Sequence, residues 1–311
     1  MASTDGPGWI GRLDPVLRPF AAARTDLSVQ ALGAVRTGLN ERRRTAAQEL
    51  DASGVDIVAG AARSGRHEVG LRIYRGGPAR SPAVLYCHSG AFVLGNLDTD
   101  HRQCVELARR AACTVIAFDY RLAPEHRFPA AYDDAVLVLR WVAERADELG
   151  VDPARIAVAG SSAGGALAAL LAQRCATGGA PPVMFQLLHQ PVLDDRATPA
   201  KAEFVDTPGF DGPAASAMWR HLCGPSSVPG AVPARAAELA GLAPALITCS
   251  ELDPLRDEAL DYARRLLAAG VATELHVYPG TCHGFDSLVP EWEVSRQLFS
   301  LQAAVLCRAW A

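Results

Sequence analysis

The sequence predicts an α/β fold: a mostly parallel central sheet of about eight strands, flanked by helices and covered at one end by a helical cap. Three observations predict it. Short apolar runs alternate along the chain with longer stretches of helical period, the order expected of strand–helix–strand units. Most of the apolar runs are continuous rather than alternating, as strands covered on both faces must be. One long segment, 194–233, carries six prolines and four glycines between short apolar pieces and no strand pattern, and such an insertion in a compact domain is usually functional.

Taken in order, the first fifty residues read as amphipathic helix, broken by Pro15 and Pro19 and ending near Arg42-Arg43-Arg44. That basic run is read as a solvated helix face. Residues 1–50 are assigned to the cap. Strands are expected at 55–59, 68–74, 83–87, 114–118, 156–159, 183–188, 246–249 and 274–278. The first two alternate in polarity and suit a half-exposed antiparallel edge. Helices are expected at 102–111, 132–149, 163–175, 256–269 and 292–307. Residues 51–193 and 234–311 then form the catalytic domain, and 194–233 an inserted cap segment.

Composition narrows the function classes. Half of the 311 residues are hydrophobic and 21% are charged, too apolar for disorder. A net charge of −4 without a basic block argues against electrostatic binding of nucleic acid. No apolar run approaches the ~18–20 residues of a membrane span, and no secretory leader pattern opens the chain. Eight cysteines are scattered without a C-x-x-C pair, which points away from zinc and disulfides and towards a reducing cytoplasm. Lys201 is the only lysine among thirty basic residues, which reads, with the many alanines, as codon bias.

Gly160-Ser161-Ser162-Ala163-Gly164 fits G-x-S-x-G. The match is short, but the strand before it and the apolar helix after it supply the setting in which a serine hydroxyl is raised at the top of a sheet. A plain glycine-rich turn with Ser162 as helix cap is the other reading. Serine needs a general base, and the base needs an orienting acid. Asp253 lies 91 residues downstream of Ser162 and His283 another 30 beyond, each just past an expected strand, where open α/β sheets build their sites. Asp257 and Glu258 compete as the acid; Asp253 is preferred because it precedes the helix. Acyl transfer also needs donors for a developing oxyanion. The small-residue segment His88-Ser89-Gly90-Ala91 after the third strand could present backbone N–H groups, joined by the N–H of Ala163.

These residues resemble the hormone-sensitive-lipase-like (bacterial family IV) esterases of the α/β-hydrolase superfamily. Tyr86-Cys87-His88-Ser89-Gly90-Ala91 resembles the family's Y-x-H-G-G-G loop, and Gly160 to Gly165 its G-D-S-A-G-G elbow. The segment from Asp119 to Glu125, followed by Phe128-Pro129-Ala130-Ala131, matches D-Y-R-L-A-P-E-x-x-F-P-A-A almost without change. The resemblance implies an α/β-hydrolase fold, a triad of Ser162, Asp253 and His283, and oxyanion donors at Gly90, Ala91 and Ala163. Ser89 and Ala91 depart from two loop glycines and Ser161 from the elbow acid. Alanine at 91 can still donate, at a cost if the position requires positive φ.

The function expected is hydrolysis of short-to-medium-chain carboxylic esters through an acyl-enzyme, with no metal or cofactor. A small ester is the partner, and a homodimer is left open. Phe92, Phe204, Phe210, Met218 and Trp219 are the apolar side chains assigned to the substrate pocket, packing within the cap being the other reading. A non-catalytic small-molecule-binding protein and a biosynthetic acyltransferase or lyase on the same site are the alternatives. The complete Ser, Asp and His set favours the hydrolase.

Overall fold

A computed structural model describes residues 8–311. Its centre is an eight-stranded sheet in the order β1-β2-β4-β3-β5-β6-β7-β8. β1 (Asp56–Ser64) and β2 (His67–Arg75) form an antiparallel hairpin that pairs antiparallel with β4 (Thr114–Phe118). From β4 onward every pairing is parallel: β3 (Ser81–Cys87), β5 (Val151–Ser161), β6 (Phe185–His189), β7 (Ala245–Leu252) and β8 (Thr273–Cys282). The antiparallel edge and parallel core follow the switch from alternating to continuous apolar runs. β3, β4 and β6 are buried at every position.

Helices cover both faces, as parallel strands demand. α2 (His101–Arg110) and α10 (Glu293–Ala309) pack on one side through Val105, Leu107, Val305 and Leu306. α3 (Ala130–Glu144), followed by the short α4 (Ala146–Leu149), α5 (Ala163–Ala176) and α8 (Arg256–Ala268) pack on the other through Val138, Leu139, Leu167 and Tyr262. The single helix expected over 132–149 is interrupted at Arg145, whose N–H closes α3 on the carbonyl of Trp141.

The N-terminal segment differs from the continuous amphipathic helix expected of it. Among the described residues it forms 3₁₀ turns at Ile10–Arg12 and Arg18–Phe20, an extended stretch, and α1 (Leu32–Glu49). The helix also runs past the arginines to Glu49, because Thr45-Ala46-Ala47-Gln48-Glu49 contains no residue that stops it. Arg36 fixes α1 to the domain: it donates to the carbonyls of Val93 and Ala123 (both 2.6 Å) and forks onto Glu125 (2.7 and 2.9 Å).

Between β6 and β7 lie α6 (Pro199–Glu203), α7 (Gly212–Cys223) and two 3₁₀ turns, with no strand among them. This segment meets the N-terminus through Trp9 Nε1, which donates to Asp206 (2.7 Å), and through Arg12 on Glu203 (2.6 Å). The lone Lys201 pairs with the buried Glu258 (2.5 Å) and donates to the carbonyl of Asp194 (2.6 Å), tying α6 to α8. α9 (Phe285–Leu288) follows β8 at the same end of the sheet. No helix among the described residues is long and apolar enough to cross a membrane.

Candidate active site

The carboxyl ends of β3, β5 and β8 lead into residues that line one cavity, and that of β7 leads into the buried Asp253 behind them. β5 ends at Ser161 and α5 begins at Ala163, so Ser162 alone makes the turn, at φ 56° and ψ −117°. A non-glycine residue held there carries about 1–3 kcal/mol of strain. Three backbone bonds hold it: Ser162 N–H donates to the carbonyl of His189 (2.8 Å), and the N–H groups of Val192 (3.0 Å) and Ala166 (3.2 Å) donate to that of Ser162. The elbow needs its flanking glycines for space. A Cβ on Gly160 would lie 2.3 Å from the Gly164 backbone, and one on Gly164 would lie 1.9 Å from the Cys87 carbonyl oxygen.

His283 follows β8 and Asp253 follows β7. His283 Nε2 lies 3.0 Å from Ser162 Oγ, and its Nδ1 lies 2.8 Å from Asp253 Oδ2. Asp253 is fully buried, and its other oxygen accepts the N–H of Leu255 (2.8 Å). Burial pulls the His283 pKa down, but the Asp253 carboxylate beside it more than offsets this and leaves it above the ordinary imidazole value. The competing acids face elsewhere. Asp257 accepts the N–H of Ala200 (2.7 Å), and Glu258 accepts that of Leu193 (2.7 Å) while pairing with Lys201.

After β3 the chain turns through Gly90, Ala91 and Phe92 with φ of 130°, 54° and 59°. The substitution of Ala91 for a loop glycine therefore does place alanine in the left-handed region. The tight turn is closed by Val93 and Leu94 N–H on the Gly90 carbonyl (3.0 and 2.8 Å). Among the described residues the N–H groups of Gly90, Ala91 and Ala163 have no acceptor. His88 is buried behind the loop, stacked on Tyr120 at 4.0 Å, with Nδ1 donating to the Ser89 carbonyl (2.7 Å). Burial holds its pKa down at about 4, so it stays neutral. Tyr120 in turn donates to the His88 carbonyl (2.9 Å), and Ala123 N–H to that of Phe92 (2.9 Å). The Asp119–Glu125 segment thus braces the loop from below.

Several contributors were not singled out from sequence. Asp100 precedes α2 and reads as a helix cap, yet its side chain makes no cap bond. It accepts the N–H (2.7 Å) and Oγ–H (2.9 Å) of Ser89 instead. Gln190 sits at φ 44° and accepts the N–H of Gly284 beside His283 (2.7 Å). Asp286, next along, is held by His189 (3.2 Å) and Gln103 (3.1 Å). Only the three-dimensional path of the chain brings these groups together.

The cavity has a volume of about 480 Å³ and is lined by Ser162, His283, Ser89, Gly90, Ala91 and Phe210 among others. Of the five side chains assigned to the pocket, Phe210 alone lines it, with its ring 5.0 Å from that of His283. Phe92, Met218 and Trp219 are buried in the main core, Phe92 tilted against Trp219 at 6.3 Å. Phe204 is fully buried with Trp9, Leu17 and Phe285, between Arg12 and Arg256. These side chains point inward, where they gain buried apolar area. The arginine run is also not uniformly solvated, since Arg42 and Arg43 line the cavity.

The family model of the α/β-hydrolase fold matches residues 84–287. The chain is an α/β hydrolase. It belongs to the hormone-sensitive-lipase-like branch whose motifs it resembles. Over 212 residues the hydrolase is 46% identical to Esterase LipI of Mycobacterium tuberculosis, a match covering 67% of this chain and 66% of that protein. Over 230 residues it is 41% identical to Carboxylesterase NlhH of the same organism, covering 71% and 72%. Esterase LipW from Mycobacterium marinum superimposes on the hydrolase with a TM-score of 0.95 at 55% identity, over 98% of both chains.

Proposed function

We propose that this hydrolase is a serine carboxylesterase. The observation that carries the reading is the unbroken chain Asp253–His283–Ser162 beside three backbone N–H groups without acceptors. In this mechanism Ser162 Oγ attacks the ester carbonyl while His283 Nε2 takes its proton, and the same imidazolium then protonates the leaving alcohol. Asp253 holds the Nδ1–H tautomer and stabilises the imidazolium. The N–H groups of Gly90, Ala91 and Ala163 receive the oxyanion. Water, deprotonated by His283, releases the acid. The esterase names of LipI, NlhH and LipW support the reaction class.

The cavity falls in the range of small-molecule sites, roughly 300–1,000 Å³, so esters of short to medium acyl length are the substrates proposed. Of the cap expected over 1–50, residues 1–7 lie outside the described residues; 8–50 and 194–233 act together as the cap over 51–193 and 234–311, with Phe210 reaching His283 from the inserted part. A cytoplasmic setting fits the eight free cysteines. A homodimer would use edge strand β8, where Leu275 and Val277 are exposed. The test is hydrolysis of p-nitrophenyl esters of increasing chain length by wild type and Ser162→Ala. The reading expects butyrate to outrun long acyl chains and the variant to be inert; turnover favouring emulsified long-chain triglyceride would refute the acyl range.

A further inference from the structure

The wall of the cavity formed by α1 is cationic, and its inner cation forms no ion pair among the described residues. Three arginines line the cavity: Arg42, Arg43 and Arg102. Arg102 pairs with Glu291 (2.6 Å). The third member of the α1 run, Arg44, turns outward and pairs with Glu41 (2.7 Å). Arg43 is half-buried and reaches Thr99 alone, with Nη1 donating to Oγ1 at 3.3 Å. Among the described residues it forms no ion pair, so most of its planar set of N–H donors is left for something in the cavity.

The acids lining the cavity, Asp98 and Asp100, lie in the loop ahead of α2 and hydrogen-bond to other groups, while Asp100 also stands near enough to Arg43 to favour its charge. Asp98 pairs with Arg72 (2.8 Å), and Asp100 spends both oxygens on Ser89. Burial pulls the Arg43 pKa down from its ordinary value, although the nearby Asp100 carboxylate acts the other way. A carboxylate entering a partly enclosed cavity loses hydration at a cost of several kcal/mol unless a partner replaces it. A guanidinium fork offers that partner in two parallel hydrogen bonds. An esterase lacking such a group would discriminate against anionic esters.

We propose that Arg43, with Arg42 at the rim, forms a carboxylate-recognising subsite, and that the substrates of this enzyme are esters carrying a second, free carboxylate. This rests on the serine-esterase reading. The reaction is unchanged: water adds to the acyl carbon, the ester C–O bond breaks, and an acid and an alcohol leave.

Two matched pairs of esters test it and locate the charge. On the acyl side, 4-nitrophenyl hydrogen glutarate is compared with 4-nitrophenyl pentanoate, the uncatalysed rate being subtracted. On the alcohol side, 4-carboxyphenyl butyrate is compared with 4-carbamoylphenyl butyrate. In wild type at least one charged ester should match or exceed its neutral partner in kcat/KM, and added salt should lower that ratio. Arg43→Gln and Arg43→Ala should reduce the ratio about tenfold or more through KM, with Arg43→Lys between them. The ratio is internal to each preparation, so partial unfolding does not imitate the effect. A wild-type preference for both neutral esters, or an unchanged ratio in Arg43→Gln, overturns the subsite. Turnover of the neutral esters that persists in Ser162→Ala overturns the serine reading instead, and the subsite proposal with it.

Discussion

Asp253→Asn exchanges one carboxyl oxygen of a fully buried side chain for an NH₂ group, and the structure dictates which one. Asp253 Oδ1 accepts the N–H of Leu255 at 2.8 Å, while Oδ2 faces His283 Nδ1 at 2.8 Å. An asparagine that kept its NH₂ away from His283 would set it against the Leu255 N–H, leaving a buried donor unpaired at about 1–3 kcal/mol. The favoured orientation keeps the carbonyl on Leu255 and points NH₂ at His283. Nδ1 must then accept, Nε2 carries the proton, and the imidazole cannot take one from Ser162. Loss of the working tautomer costs about 10⁴-fold in kcat, or ~5.4 kcal/mol at 1.36 kcal/mol per decade. The assay is steady-state hydrolysis of p-nitrophenyl butyrate from pH 5 to 9, with thermal melting as a check on folding. A folded Asp253→Asn enzyme within tenfold of wild type would refute the reasoning.

In wild type the sign of the pH dependence follows from the raised His283 pKa. Only the neutral imidazole accepts the serine proton, so kcat/KM should climb with pH through a midpoint above the usual ~6.5; a midpoint well below that value would contradict the Asp253 contribution. At Ala91, φ is 54° and the N–H has no acceptor among the described residues. Ala91→Pro removes that N–H and cannot hold the angle, so steady-state kinetics should show a ~10²–10³-fold loss in kcat, whereas Ala91→Gly, which keeps the donor, should lose less than about tenfold. Gly164→Ala would drive a Cβ to 1.9 Å from the Cys87 carbonyl oxygen and 2.6 Å from that of His88, and denaturant unfolding should report destabilisation of about 3 kcal/mol or more.

The strands were legible because burial on both faces forces continuous apolar runs, and the carboxyl ends of those runs located Ser162, Asp253 and His283. The structure brings the three within 3.0 Å of one another in sequence along the hydrogen-bond chain. Residues that no motif marks were not legible. Asp100 acts on Ser89, Gln190 on Gly284, and Arg43 on the cavity, while each carries a plausible local role as cap, strand end or solvated face. The reverse error befell Phe204, Met218 and Trp219. An apolar side chain in the inserted segment carries no sign of whether it faces a cavity or the core, and these three face the core. The N-terminal segment departs from a continuous helix for another reason: ahead of α1 it is held by Trp9 and Arg12 reaching distant partners, not by local propensity.

The central claim is that Ser162 is the nucleophile, and organophosphate labelling tests it most directly. Wild-type enzyme is treated with diethyl 4-nitrophenyl phosphate, its residual activity is followed, and the adduct is mapped by peptide mass. Activity should disappear in step with the transfer of one phosphoryl group per chain to Ser162, and Ser162→Ala should neither label nor turn over butyrate, its kcat reduced by ~10⁴-fold or more. An adduct mapped to another residue in step with inactivation, or a Ser162→Ala variant that hydrolyses butyrate within tenfold of wild type, would contradict the account.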